Sequence, residues 1–145
     1  MARFHETTLA VYFDDLDPFQ ILHNARYLLI FERAIGAFWQ SQMGWSGPLD
    51  LEGNPDQFHV VASNHMDYLR PFRGVGHVRA RLTITKIGNS SLTFRCSILP
   101  MDEDNPHAIG ERVVVSIDPK TQRPKPWSNH FRETLEPFQE GAHNV

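Results

Sequence analysis

Asp17 is the acidic residue of this sequence that is best placed for chemistry, because it stands one short loop ahead of a predicted helix. The first turn of a helix carries backbone N–H groups without partners and the positive end of the helix dipole, which together stabilise a developing negative charge. A carboxylate that faces such donors can attack a carbonyl or activate a water as general base. Asp17 could also simply cap the loop or the helix, and an acid before a helix is more often a cap than a catalyst.

Length and composition predict a single domain over residues 1–145, with a polar tail from about residue 139. Seventeen acidic and fourteen basic residues give a net charge of -3 without a basic run, so we expect no nucleic-acid partner. The single cysteine, Cys96, excludes an internal disulfide, and the polar N-terminus does not resemble a signal peptide. We therefore expect a cytoplasmic protein. No window approaches the roughly 20 apolar residues that a membrane span needs.

The helix that follows Asp17 is predicted over residues 24–44, where apolar residues occupy most positions. Polar residues recur at a spacing of seven and form one narrow stripe, so the helix is expected to be enclosed on most sides. Asn24 suits the N-cap, and Gly44 suits the position where the helix stops.

The other strong segments are predicted as strands, because apolar and polar residues alternate with a period of two. These predicted strands cover residues 8–13, 58–68, 78–84, 92–98 and 111–118. The third and fourth flank the turn Gly88-Asn89-Ser90 and predict an antiparallel hairpin with one apolar face. A short helix is predicted over residues 129–138. The pattern indicates an α+β fold, in which an antiparallel sheet of about five strands wraps around one long central helix.

In this arrangement the segment around Asp17 resembles a known enzyme family. A strand, then Phe-x-Asp-x-Asp-Pro, then a helix that begins Asn-Ala-Arg-Tyr-Leu, is similar to the hotdog-fold thioesterases of the 4-hydroxybenzoyl-CoA thioesterase and YbgC-like group. The similarity continues through Asp67-Tyr68-Leu69-Arg70-Pro71, the hairpin, and Asp118-Pro119-Lys120 with Arg123-Pro124. It therefore covers nearly the whole chain.

The resemblance implies hydrolysis of an acyl-CoA or of an acyl thioester on a carrier protein, with coenzyme A present only as part of the substrate. It implies that Asp17 acts as general base or nucleophile and that the backbone N–H at Asn24 donates to the thioester oxygen. It also implies a site at a subunit interface, in a homodimer whose sheets join edge to edge or in a homotetramer of such dimers. The acyl group stays open.

The sequence departs from the family pattern in two places. Family members usually have glycine three residues after the catalytic Asp, whereas this chain has Gln20, so either the loop follows a different path or the Gln20 side chain enters the site. Some relatives carry basic hairpin residues that contact the CoA phosphates, whereas Gly88-Asn89-Ser90 has none. The basic residues that could contact the phosphates instead are Arg70, Arg73, Lys120 and Arg123.

Four further residues have more than one interpretation. His23 could orient a water, contact the acyl chain or simply fill space at the interface. Tyr27 lies on the apolar helix surface, which favours packing over proton donation. Glu32 is a second candidate acid, although an ion pair with a nearby arginine suits it better. His65 could line the pocket from the strand that follows the helix.

Three alternatives to thioester hydrolysis are a metal site, ligand binding without turnover and a hydratase activity. A metal site is not expected, because His59 and His65 would lie ~20 Å apart on one strand, too far to bind the same ion. An alternative function is binding of an acyl thioester or another apolar ligand without turnover, with Gln20 marking a disabled site. A hydratase on the same fold is disfavoured, because the Asp-x-x-x-x-His pairing of those enzymes is missing.

Overall fold

The computed structural model describes residues 2–141, and its centre is an antiparallel sheet of five strands. The strands are β1 (His5–Val11), β2 (His59–Tyr68), β3 (Gly76–Ile87), β4 (Ser91–Leu99) and β5 (Ala108–Ser116), in the order β1-β3-β4-β5-β2. The predicted hairpin is formed by β3 and β4, whose register pairs Leu82 with Cys96 and Ile84 with Phe94. Alternate residues of both strands are buried, so the hairpin has the expected apolar face.

The bounds of β1 and β5 differ from the prediction. β1 ends at Val11 because the chain turns at Tyr12, whose backbone N–H donates to the Asp15 carboxylate at 2.8 Å. β5 begins at Ala108, which pairs with Tyr68, whereas the sequence pattern starts at Glu111. The small residues at this end of β5 have weak strand propensity, so the pairing is not visible in the sequence.

The long helix α1 (Asn24–Met43) packs on the apolar face of the sheet. The rings of Phe38 on α1 and Phe94 on β4 lie 5.5 Å apart in an edge-to-face arrangement. The helix ends at Gly44, whose φ of 69° is the left-handed conformation that glycine adopts without strain. The N-cap is His23 and not Asn24 as predicted, and Asn24 is the first helical residue.

The helical layer is not one long central helix, and the prediction needs correction on this point. α1 has 20 residues, which is about 30 Å of helix, and a second helix, α2 (Asn129–Leu135), lies beside it. Phe131 of α2 is fully buried, and its ring lies 5.8 Å from that of Trp39 on α1. The five-stranded antiparallel sheet with helices on one face is consistent with the hotdog fold.

Strand β2 forms one edge of the sheet and is unusually exposed for a strand of this length. It pairs with β5 on one side only, and nearly all of its residues are exposed on both faces. Val60 and Val61 retain 47% and 48% of their accessible surface. Within residues 2–141, no element covers the outer edge of β2.

The core also contains Cys96, which points toward α1 from the centre of β4. Its side chain is completely buried. Burial raises the pKa of this thiol well above the usual range, because the thiolate would lose its hydration. Cys96 is therefore a packing residue of the sheet.

Candidate active site

The loop between β1 and α1 is held in place by its own backbone. The carboxylate of the buried Asp15 accepts from Tyr12, and its carbonyl accepts from the His23 N–H at 2.9 Å. The backbones of Leu16 and Leu22 also pair with each other. The loop is therefore a closed unit, with Asp17 at the start of the tight turn that forms its tip.

Asp17 makes hydrogen bonds that fix both its backbone and its carboxylate. Its N–H donates to the Ile21 carbonyl and its carbonyl accepts from Gln20, both at 2.9 Å. Oδ1 accepts from the backbone N–H groups of Phe19 (2.8 Å) and Ile21 (3.3 Å). Among the described residues, Oδ2 has no hydrogen-bond partner. One oxygen thus orients the carboxylate, and the other is available for chemistry.

Gln20 keeps the backbone conformation that a glycine would have here. Its φ is 63°, which is the left-handed region that side chains resist. Its carbonyl accepts from the Gly74 N–H at 2.9 Å, and its side chain is exposed. The sequence raised two possibilities, a different loop path or a Gln20 side chain inside the site. The structure shows neither, because residue 20 has the backbone conformation typical of glycine and Gln20 does not line the cavity described below.

The start of α1 presents an unpaired backbone donor. The ring Nδ1 of His23 caps the helix by accepting from the Ala25 N–H at 3.1 Å. Tyr68, at the end of β2, donates its hydroxyl hydrogen to the Asn24 carbonyl at 3.1 Å, which ties the helix start to the sheet edge. Among residues 2–141, nothing accepts a hydrogen bond from the Asn24 N–H.

Asp17 and Asn24 line the same cavity, which has a volume of about 540 Å³. The loop, the first turn of α1 and the segment after β2 form its walls, with Ile21, Leu22 and Leu69 as apolar lining. Its polar groups come from Asp17, His23, Asn24, Tyr27, Tyr68 and Arg70. The size lies in the range of small-molecule sites.

Tyr27 is almost completely buried beneath this cavity. Burial raises the pKa of its hydroxyl, and an interaction with the Phe72 backbone opposes that shift. Its ring meets that of Tyr68 edge to face at 5.1 Å. This packing position agrees with the interpretation that the sequence favours for Tyr27.

Arg70 lines the cavity, but its guanidinium is directed to the 101–107 loop. Nη2 donates to Glu103 Oε1 at 2.6 Å and also to the Asn105 carbonyl. Arg73 lies outside the cavity, beside the Asp17 loop, where its backbone pairs with that of Ile21.

His65 lies away from the cavity, on the exposed β2 edge. Its Nε2 is 3.2 Å from Asp67 Oδ1, and it borders a separate cavity on the outer side of the sheet. Lys120 and Arg123 lie still farther away, beyond the end of β5. Because β2 pairs His59 with Ser116 at one end and Tyr68 with Ala108 at the other, these basic residues lie about 30 Å from the cavity along the strand.

Glu32, the second candidate acid, is paired with an arginine. Its Oε1 lies 3.6 Å from Nη1 of the buried Arg112, whose Nε donates to Asn64 Oδ1 at 2.7 Å. Glu32 is not among the residues that line the cavity with Asp17. This pairing leaves Asp17 as the carboxylate of the candidate site.

Three residues that are not predicted site residues complete the cavity wall. Tyr68 ends β2, and Leu69 and Pro71 follow it; all three line the cavity beside the helix start. Nothing in their spacing indicates a role, because the contact arises only when the end of β2 meets the first turn of α1. Their one sequence signal is that they fall in the fragment that resembles the thioesterases.

The described residues lack two other kinds of feature, a metal cluster and a membrane-spanning helix. Within residues 2–141, no three His, Cys, Asp or Glu side chains come close enough together to hold a metal ion. None of the helices in that range combines the length and apolar character of a membrane span.

Comparisons with known proteins agree with this architecture. The model of the thioesterase-like superfamily matches residues 11–135. Protein YsmA of Bacillus subtilis, itself uncharacterized, is 27% identical over 128 residues, which is 88% of this chain and 82% of that protein.

Solved structures superpose on nearly the whole chain. The PA5185 protein of Pseudomonas aeruginosa has a TM-score of 0.81 at 22% identity, over 96% of this chain and 94% of that one. A 1,4-dihydroxy-2-naphthoyl-CoA thioesterase from Synechocystis has a TM-score of 0.77 at 15% identity, with 92% and 96% covered. The Staphylococcus aureus protein SAV2348, solved in complex with CoA, has a TM-score of 0.78 at 18% identity, with 93% and 83% covered. At these identities the similarity shows a shared fold.

Proposed function

Since this chain belongs to the thioesterase-like superfamily, we propose that it hydrolyses an acyl thioester, of coenzyme A or of a carrier protein, in the cavity between the Asp17 loop and α1. Membership of the superfamily supports thioester hydrolysis in general. The observation that carries the residue-level proposal is the shared cavity: an oriented carboxylate, Asp17, and an unpaired helix-start amide, that of Asn24, line the same space. We further propose that the chain belongs to the 4-hydroxybenzoyl-CoA thioesterase and YbgC-like group, because its sequence fragments resemble that group in order and spacing.

The chemistry follows from the two groups. The thioester oxygen accepts a hydrogen bond from the Asn24 N–H, and this hydrogen bond becomes stronger as negative charge builds up on the oxygen. A preorganised donor of this kind is worth about 3 to 4 kcal/mol in the oxyanion holes of other enzymes. The helix dipole adds to the effect, because Asn24 is the first residue of α1.

Asp17 then acts by one of two routes. As general base, it takes a proton from a water whose oxygen attacks the carbonyl carbon; the C–S bond breaks, and the thiolate leaves. As nucleophile, its carboxylate attacks the carbonyl carbon and expels the thiolate, and water hydrolyses the resulting mixed anhydride. In both routes the unpaired Oδ2 is the reacting oxygen, while Oδ1 stays bonded to the loop.

We propose that the functional unit is a homodimer, or a tetramer built from such dimers, joined through β2. The exposed edge of β2 offers unpaired backbone groups, and Val60 and Val61 offer apolar surface. In an antiparallel β2–β2 pair, the start of one strand lies beside the end of the other. The partner's basic turn with Lys120 and Arg123 then comes near the cavity, where it can contact CoA phosphates that these residues cannot reach within one chain.

The Asp17→Asn variant tests the catalytic proposal. Asparagine keeps a side-chain oxygen for the N–H groups of Phe19 and Ile21, so we expect the loop to stay folded while thiol release from acyl-CoAs falls by about 100-fold or more. Asp14→Asn is the matched control, because Asp14 is exposed on the same loop outside the cavity.

The substrates are short, medium, long and aromatic acyl-CoAs. Equal turnover by the wild type and Asp17→Asn would refute the role of Asp17. Tight acyl-CoA binding by the wild type without thiol release would instead favour the non-catalytic binding protein.

A further inference from the structure

The cap of α1 is a histidine ring, which makes it sensitive to protonation in a way that the usual caps are not. Nδ1 of His23 accepts from the Ala25 N–H at 3.1 Å, whereas α2 is capped by the hydroxyl of Ser128. A ring nitrogen that accepts a hydrogen bond carries no proton, so the neutral ring holds its hydrogen on Nε2. The imidazolium has hydrogens on both nitrogens and cannot cap the helix.

His23 is also covalently joined to the proposed oxyanion donor. The N–H of Asn24 belongs to the peptide unit between His23 and Asn24, so the backbone torsions of His23 set its direction. The His23 N–H donates to the Asp15 carbonyl, and the His23 carbonyl accepts from the Arg26 N–H, both at 2.9 Å. The ring cap is the third restraint on this residue, and the ring lines the cavity.

We propose that His23 is a positioning residue, whose neutral ring holds the Asn24 amide in its productive direction and whose protonation releases it. This inference rests on the proposed function, because it assigns a consequence to the Asn24 amide. Protonation replaces an N···H–N hydrogen bond by two opposed N–H groups, and it places a cation at the positive end of the α1 dipole. Both effects loosen the first turn and lower the rate of thioester hydrolysis.

Charged groups from each neighbouring element act on the His23 ring. The titratable side chains around it are those of Asp15, Asp17, Arg26, Tyr27, Tyr68 and Arg70. The acids bring negative charge toward the ring, and the arginines and the helix dipole bring positive charge. Arg26 lies 3.8 Å from the Asp15 carboxylate and Arg70 is paired with Glu103, so these charges are largely balanced within their own pairs.

The test compares His23→Asn with His23→Ala. The asparagine oxygen can cap the helix but does not titrate, and alanine cannot cap. We expect acidification to lower the kcat/KM of the wild type by about tenfold in total through this cap, because a protonated ring that cannot cap resembles the alanine variant. His23→Asn should lose this contribution to the pH dependence. His23→Ala should show a kcat lower by about tenfold at every pH, because the donor is misplaced.

A second readout is independent of catalysis. The ¹⁵N shifts of the His23 ring should show the neutral Nε2–H form near pH 8, and acidification should shift the Ala25 amide in the wild type but not in His23→Asn. The proposal is overturned if the ring carries its hydrogen on Nδ1, or if His23→Asn has the same pH profile as the wild type. If the wild type hydrolyses no thioester, the proposed function fails, whereas the NMR experiment still decides whether His23 is a titrating cap.

Discussion

At the residue scale, Gln20 has the clearest conformational cost near the candidate site. A side chain at φ 63° costs about 1 to 3 kcal/mol unless the surrounding structure stabilises that conformation. Here the stabilising contacts are backbone hydrogen bonds to Asp17 and Gly74. The loop therefore keeps the geometry that orients the Asp17 carboxylate, at the expense of stability.

Replacing Gln20 with glycine should remove part of the strain of the positive φ. We expect Gln20→Gly to raise the free energy of unfolding by about 1 kcal/mol, because glycine adopts positive φ without steric strain. Urea denaturation measures the change, and Phe19→Gly is a suitable control because it adds glycine flexibility to the same loop without relieving a positive φ. A loss of stability in Gln20→Gly would mean that the Gln20 side chain makes a favourable interaction.

The positions of single residues around the candidate site were only partly predictable from the sequence. The position of Asp17 ahead of a helix correctly pointed to a carboxylate beside a helix start, because that relation is local. The prediction that Asn24 is the N-cap was wrong, because asparagine is a common N-cap and histidine, here His23, is a rare one. The φ of Gln20 could not be predicted, since nothing in a glutamine indicates the left-handed conformation.

At the element scale, β2 is the strand that a single chain leaves most exposed. An exposed edge strand of 10 residues with two half-exposed valines is a site where another strand can pair. The alternating pattern of β3 and β4 predicted their hairpin, because one face of each is buried in the core. β2 lacks such a buried face, and its sequence could indicate a strand but not what it pairs with.

The double variant Val60→Lys/Val61→Lys tests the proposed dimer. Lysines on an edge strand oppose strand addition, so we expect a monomer in sedimentation equilibrium and a higher KM for acyl-CoA. Val75→Lys is the control, because Val75 is also exposed but lies outside β2. A double variant that sediments like the wild type would argue against assembly through this edge.

At the scale of the whole molecule, burial of histidines makes stability depend on pH. Burial lowers the pKa of His5, His59 and His107 below the usual value, because the charged ring loses its hydration. The His59 ring packs against the paired rings of Trp39 and Trp45, with centroid distances of 5.4 and 5.9 Å. The unfolded chain therefore binds protons more readily than the folded one.

The sign of the effect follows from this difference. The stabilising contribution of these neutral histidines is complete above a pH of about 6.5, the histidine pKa in the unfolded chain. It is lost as the pH falls through their lower pKa values in the folded protein. We expect the free energy of unfolding to decrease between pH 7.5 and 5. His59→Phe should reduce this pH dependence, and His77→Gln, which changes an exposed histidine, should not. Urea titrations at several pH values measure the effect; a slope unchanged by His59→Phe would exclude His59 as a contributor.

The sequence also could not show which basic residues lie near the cavity. Arg70 precedes Pro71 and Lys120 follows Pro119, so the two basic residues have similar local sequences. They nevertheless lie near opposite ends of β2. Strand pairing determines these distances, and it depends on contacts between residues far apart in the chain. For this reason the sequence indicated candidates for the phosphates without ranking them.

The burial of Cys96 has a practical consequence for all of these measurements. As the chain's one cysteine lies in the middle of the sheet, the folded protein should not consume a chromogenic disulfide added to count liberated coenzyme A. Labelling of Cys96 requires the core to open, so the rate of its modification reports spontaneous unfolding events. The same reagent can therefore follow turnover on a scale of minutes and, with no substrate present, the rare opening of the native core.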